Sequence, residues 1–256
     1  MSAVESIARV VDTVDYIRVT TGGSMPADGA TWLPCTDLVS NPDTLRAAAG
    51  SVRTGRGLDR DDVAMSLLVQ GYAYRIASIA IGAWLADGVV LDLDPARMSV
   101  RIHEHRPNAV HFVEPTVAGS TVAGSTVADL HAQLVDGHLA RVVDNARVAC
   151  RIGGALLWSN VGSSCAASFG AFMGPWPERR PEIRDRAAEF FAAARPELAR
   201  SGQVVAVGSV WAWERQACCL WYQTADGDKC SDCSLWSDDE RQARYQRVLA
   251  TDPDSS

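Results

Sequence analysis

Cys218-Cys219-Leu220-Trp221-Tyr222-Gln223-Thr224-Ala225-Asp226-Gly227-Asp228-Lys229-Cys230-Ser231-Asp232-Cys233 holds four of the seven cysteines in the chain. Two are adjacent, ten residues follow, and a Cys-x-x-Cys pair closes the run. Four thiolates so near one another suit a tetrathiolate metal site, of zinc or of a two-iron, two-sulfur cluster. Gly227, between two aspartates, supplies the turn that returns the second pair toward the first. The remainder of the sequence reads as a scaffold that holds this loop near the surface.

The two metals ask different things of the ligands. Structural zinc sites usually take two Cys-x-x-Cys knuckles, and only Cys230–Cys233 is one here. Adjacent side chains on extended backbone point apart, so Cys218 and Cys219 reach a single ion only if the backbone bends. A two-iron cluster spreads its ligand positions over two metals and tolerates divergent sulfurs. Spacing alone favours iron–sulfur modestly and leaves zinc open.

Outward from the loop, Gly202 to Trp213 alternates apolar and small residues, as a strand or extended arm that delivers the chain to the first cysteines. On the other side Ser237-Asp238-Asp239-Glu240 is a capping box, which starts a last helix running to about Leu249. Glu178–Arg200 is amphipathic, with Ile183, Ala187, Phe190, Phe191 and Leu198 on its apolar face. Ile152–Pro177 carries no charge, and its five glycines, serines and Asn160 favour a buried pair of small-residue helices over a membrane span. Asp129–Cys150 has helix periodicity, and the direct repeat within Val117–Thr126 reads as a mobile linker or lid.

Val89–Val113 alternates as three short antiparallel strands, VVLDLD, MSVRIHEH and AVHFVEP. Asp59 or Asp61 caps a long helix to about Ala86, closed by Gly88; its uncharged run between Arg75 and Asp87 is too short to span a bilayer. Residues 22–58 look loop-rich around a Trp32-Leu33-Pro34-Cys35 anchor, after an amphipathic helix over residues 1–20. The sum is an α+β chain, mainly helical, with a small antiparallel sheet and a cysteine-rich metal loop near its C-terminus.

The hydrophobic content of 47% and charged content of 21% are those of an ordinary globular protein. A net charge of -7 argues against sequence-independent nucleic-acid binding, which needs a basic face. The first residues, MSAVESIARVVDTVDY, lack the basic start and apolar run of a signal peptide, so a cytoplasmic location and no transmembrane segment are expected. That reducing compartment favours metal thiolates over disulfides, and the scattered Cys35, Cys150 and Cys165 read as core residues.

The cysteine pattern resembles that of the FhuF-like siderophore ferric-iron reductases. Arg215 lies three residues ahead of the pair, Cys-Cys-Leu is followed by Trp221-Tyr222, and Leu157-Trp158-Ser159-Asn160 is similar to a Leu-Trp-x-Asn segment of that family. The likeness is diffuse over about residues 60–236, and the first 58 residues align to nothing. The resemblance implies that Cys218, Cys219, Cys230 and Cys233 ligate a [2Fe–2S] cluster and carry electrons through it. It further implies one-electron reduction of a ferric siderophore, which releases ferrous iron. The chain then divides into residues 1–58, a scaffold with a substrate pocket over 59–200, and a [2Fe–2S]-binding segment over 201–256.

No dinucleotide fingerprint is present, so a separate electron donor is expected, a ferredoxin, flavodoxin or reductase. Asp226, Asp228, Asp232, Asp238 and Asp239 would lower the potential of a nearby cluster, since negative charge disfavours its reduced form. Trp211, Trp213, Trp221 and Trp236 suit either a wall for a bulky chelate or a small aromatic core. Arg215 suits an anionic siderophore, a cluster sulfur or a neighbouring aspartate equally. His103-Glu104-His105 with His111 would share a strand face and could bind a second metal, although surface strand polars explain them better. Two readings of other classes remain: a zinc-stabilised interaction or regulatory module, and an iron–sulfur sensor or carrier with no chelate substrate.

Overall fold

The computed structural model describes residues 1–118, 125–207 and 210–251. Its helices are α1 (Ala3–Thr13), α2 (Cys35–Ser40), α3 (Pro42–Gly55), α4 (Asp61–Asp87), α5 (Val127–Leu130), α6 (Ala140–Ala149), α7 (Gly154–Met173), α8 (Arg180–Ala192), α9 (Pro196–Ala199) and α10 (Asp238–Thr251). A π-helical stretch, His131–Leu139, joins α5 to α6. The strands are β1 (Val19–Gly22), β2 (Thr31–Pro34), β3 (Met98–His103), β4 (Arg106–Val113), β5 (Gly202–Val207) and β6 (Val210–Arg215). The chain is a mainly helical α+β protein, as its periodicities predict.

Helices α4 and α7 pack along each other and form the axis of the core. Both are apolar nearly all round, which is the pattern of a helix enclosed by neighbours rather than laid on a surface. Small residues let them approach: a β-carbon at Gly82 would strike Phe172 and Val10, and Ser78 and Ser168 hydroxyls meet at 3.2 Å. Among the described residues α4 is the one helix long and apolar enough to cross a bilayer; 72% of that window is buried inside the protein. Gly88, at φ 65°, takes the left-handed cap that ends it.

Several expectations need correction. The N-terminal helix stops at Thr13, and residues 22–58 are not loop-rich: α3 and α1 pack on α4 and α2 on α6. Asn41 caps α3 through bonds from the Asp43 and Thr44 amides, with Pro42 at the first helical position. The sheet is mixed, in the order β1-β4-β3-β2, with β1 parallel to β4 and the other pairs antiparallel. VVLDLD contributes no strand beyond a bridge at Leu91–Val117, because Asp92 and Asp94 turn the backbone through their side chains before Pro95. Ile152–Pro177 forms one helix, not a pair. Gly202–Arg215 is a two-stranded hairpin rather than a single arm. Residues 119–124 of the direct repeat lie outside the described residues.

Candidate metal centre

The hairpin β5–β6 ends at Arg215, and from there to α10 the chain has one regular turn, the 3₁₀ stretch Trp221–Gln223. What shapes this loop is a set of polar side chains from the otherwise apolar α4 and α7. Ser159 Oγ donates to the Ser201 carbonyl at 2.9 Å and accepts from the Ala217 amide at 3.1 Å. Ser66 Oγ donates to the Cys219 carbonyl at 2.7 Å. Asn160 Nδ2 donates to Ser66 Oγ at 2.9 Å and to the Ser66 carbonyl at 3.0 Å. Ser163 Oγ donates to Asp232 at 2.5 Å. Each bond satisfies a buried group that would otherwise cost free energy in an apolar helix pair.

Leu220 adopts φ 66°, a left-handed conformation that a β-carbon disfavours. That turn directs the Leu220 amide at Cys218 Sγ, 3.3 Å away. The Trp221 amide likewise bonds Cys219 and favours its thiolate. Gly227 is required by close approach, since a β-carbon there would collide with the Trp221 carbonyl. Trp236 Nε1 fixes the Cys230 carbonyl at 2.8 Å, and the Ser237–Glu240 capping box forms as the sequence predicts.

The adjacent cysteines divide between the members of the knuckle. Cys219 Sγ stands 3.7 Å from Cys230 Sγ, while Cys218 lies near Cys233. A disulfide would need about 2.05 Å. Two sulfurs held at about 2.3 Å by one tetrahedral metal stand about 3.8 Å apart, which is the separation found. A pair that joins one cysteine of the dipeptide to one of the knuckle, with the other two close by, fits a centre with two metals.

Electrostatics follow from this arrangement. The Cys230 hydrogen bond, then the Arg215 charge, pull Cys219 down to about 6, and Cys230 is held far above its ordinary value. Burial pushes Cys218 up to about 11. Arg215 is fully buried in its side chain and donates through Nε to Asp232 at 2.9 Å and through Nη1 to Asn160 at 3.2 Å. Burial alone would weaken its protonation, but Asp232, Cys219 and Cys230 more than offset that. Burial pushes Cys35 and Cys165 up to about 12, as inert core thiols.

Beside Cys230 opens a cleft of about 740 Å³ between α7, β6 and α10, lined among others by Trp211, Trp213, Asp232, Arg244 and Tyr245. Of the four tryptophans, Trp211 and Trp213 reach it. Trp236 instead packs beneath Lys229 and Arg244, and Trp221 beneath Arg56. The His103-Glu104-His105 reading fails on geometry: Glu104 and His105 both have positive φ and make the two-residue turn between β3 and β4, so they share no strand face with His103. His111 is buried on β4 against Thr20, at 3.0 Å. Ser66, Ser159, Asn160 and Ser163 were not singled out by sequence reasoning as site residues. Their signal is polarity in a stretch that otherwise reads as core.

Paired thiols on a buried helical scaffold suit a metal–thiolate centre. Residues 66–205 match the family described as ferric iron reductase FhuF-like transporter, and residues 215–235 match the FhuF 2Fe-2S C-terminal domain. The chain belongs to the FhuF-like ferric iron reductase family, and its cofactor is a [2Fe–2S] cluster. No curated protein matches it.

Proposed function

We propose that Cys218, Cys219, Cys230 and Cys233 hold the cluster and that the chain reduces ferric siderophores, one electron at a time, in the cytoplasm. When bound, the cluster supplies single electrons at a potential set by charge, sulfur hydrogen bonds and exposure. Ferric iron is a hard ion that oxygen chelators grip tightly; one added electron yields ferrous iron, which the same ligands hold weakly. The electron comes from a separate donor, a ferredoxin, flavodoxin or reductase.

The observation that carries this reading is the half-buried Cys230 on the wall of the 740 Å³ cleft. Cys219 and Cys233 are buried. Trp211 and Tyr245 offer faces and edges to the organic part of a chelate, and Arg244 offers a charge. The test is anaerobic: holoprotein reduced by dithionite and freed of it is mixed with a ferric trihydroxamate, and ferrous iron is trapped with a colorimetric ligand. One ferrous ion per reduced cluster is expected. Protein that contains iron and acid-labile sulfide yet yields none refutes the reductase reading.

A further inference from the structure

The Arg215 guanidinium has three nitrogens in a side chain with 0% exposure. Nε is taken by Asp232 and Nη1 by Asn160, whereas Nη2 is buried and has no partner among the described residues. A charged donor left unsatisfied in the interior is costly, more so than a neutral one. Asp232 and Asn160, the latter itself fixed by Ser66, hold the guanidinium in this orientation, with Nη2 left open. Asp232 lies inside the Cys230–Cys233 knuckle and is bonded both by Arg215 Nε and, at its carbonyl, by the Arg215 amide at 3.4 Å, so the guanidinium is held against the cysteine loop.

We propose that Arg215 is a cofactor-binding residue: Nη2 donates to a sulfur of the cluster, and the buried cation raises the reduction potential. This rests on the assignment of the four cysteines as ligands, not on the identity of the electron acceptor. The sign follows from charge. Reduction adds one negative charge to the centre, and a cation alongside it favours the reduced form. Asp232, at the other end of the same ion pair, opposes it.

That opposition provides the test. The anaerobic holoprotein and its Arg215→Gln, Arg215→Lys and Asp232→Asn variants are titrated by dye-mediated potentiometry, with iron and sulfide counted for each. Arg215→Gln is expected to shift the reduction equilibrium at least tenfold toward the oxidised form, 59 mV for a one-electron couple. Asp232→Asn is expected to shift it the other way. Both substitutions break the same ion pair, so a purely structural role predicts the same disturbance from each. If Arg215→Gln loses the cluster, Arg215→Lys keeps the charge without the planar fork. Its iron–sulfur stretching frequencies should then lose part of the shift that the wild type shows in D₂O. Loaded Arg215→Gln with a potential matching the wild type, shifts of one sign in Arg215→Gln and Asp232→Asn, or Arg215→Lys with an unaltered deuterium effect would overturn the proposal. Wild-type protein without iron or sulfide would remove the cysteine assignment beneath it.

Discussion

Asn160→Ala breaks a link that runs from α4 through α7 to Arg215 at the edge of the cysteine loop. Asn160 is fully buried, accepts from Arg215 Nη1 at 3.2 Å, and donates to Ser66 at 2.9 and 3.0 Å. The bond to the guanidinium is charge-assisted, worth about 1.5–3 kcal/mol, and each neutral bond contributes about 1 kcal/mol. Truncation therefore costs on the order of 3 kcal/mol, because Arg215 loses its second acceptor inside the protein. For a chain of this size that lowers the midpoint of thermal unfolding by roughly 6 °C or more. Ser66→Ala serves as the local comparison: it releases the Cys219 carbonyl, removes one acceptor of Asn160 Nδ2 and forfeits about 2 kcal/mol. Thermal melts by circular dichroism read the global effect, and bleaching of visible absorbance under a chelator reads iron release. Both variants should release iron faster, with Asn160→Ala melting the lower of the two. An Asn160→Ala protein that melts within about 1 °C of the wild type and keeps its iron as long would refute the view that this network positions the loop.

Three further outcomes follow from the same geometry. Trp211→Ala should raise KM for a ferric chelate severalfold and leave the cluster potential unchanged, as steady-state kinetics beside a redox titration would show; unchanged KM would move the substrate away from this cleft. Gly227→Ala should yield protein with less than the full complement of iron and sulfide, because the new methyl group meets the Trp221 backbone, which cannot swing aside. His138 is wholly buried: its Nδ1–H donates to the Leu93 carbonyl at 2.8 Å, so Nε2 must accept from the Tyr72 hydroxyl at 2.5 Å. Burial pulls its pKa down to about 4, below the ordinary 6.5, so the unfolded chain binds the extra proton more readily. Stability from this group is complete above about pH 6.5 and is lost as pH falls toward 4, about 3 kcal/mol in all. Denaturant melts across that range should lose this slope in His138→Phe.

What the sequence made legible was whatever depends on chemistry carried by consecutive residues. The four cysteines, the Ser237 capping box and the long apolar helix closed by Gly88 all announce themselves in short windows. The sheet does not. β1 and β4 pair from positions about ninety residues apart and in parallel, and alternation in either strand says nothing of its partner. His103-Glu104-His105 read as strand because a two-residue hairpin turn is usually marked by Asn-Gly, and here Glu104 and His105 take the positive φ angles without that mark. Residues 22–58 read as loop because Gly22, Gly23 and Pro26 drew attention from the Asn41-Pro42 start of α3. At the site, Asn160 was visible as a polar residue in an uncharged run, but its partners Ser66 and Arg215 come from far along the chain. Only the fold brings them together.

The loop itself shows why the scaffold must be so apolar. Between Arg215 and α10 the buried residues are Cys219, Thr224 and Cys233, too few to supply a core of their own. Small segments lacking such a core are ordered by disulfides, metals or docking. This loop shows docking directly, with a carbonyl and an amide anchored by Ser66 and Ser159, and its Cys219–Cys230 pair stands 3.7 Å apart, close enough to share a metal. For electron transfer the combination has a physical advantage. Loop order that came only from helical packing would bury all four sulfurs, and order that came only from metal would leave the pairs free to move as charge changes. Docking on α4 and α7 fixes Cys219 and Cys233 in the interior, while the path from Cys230 to the cleft stays short. A centre held in this way can change charge by one with little rearrangement of its ligands, because the dipoles that answer the charge are already in place.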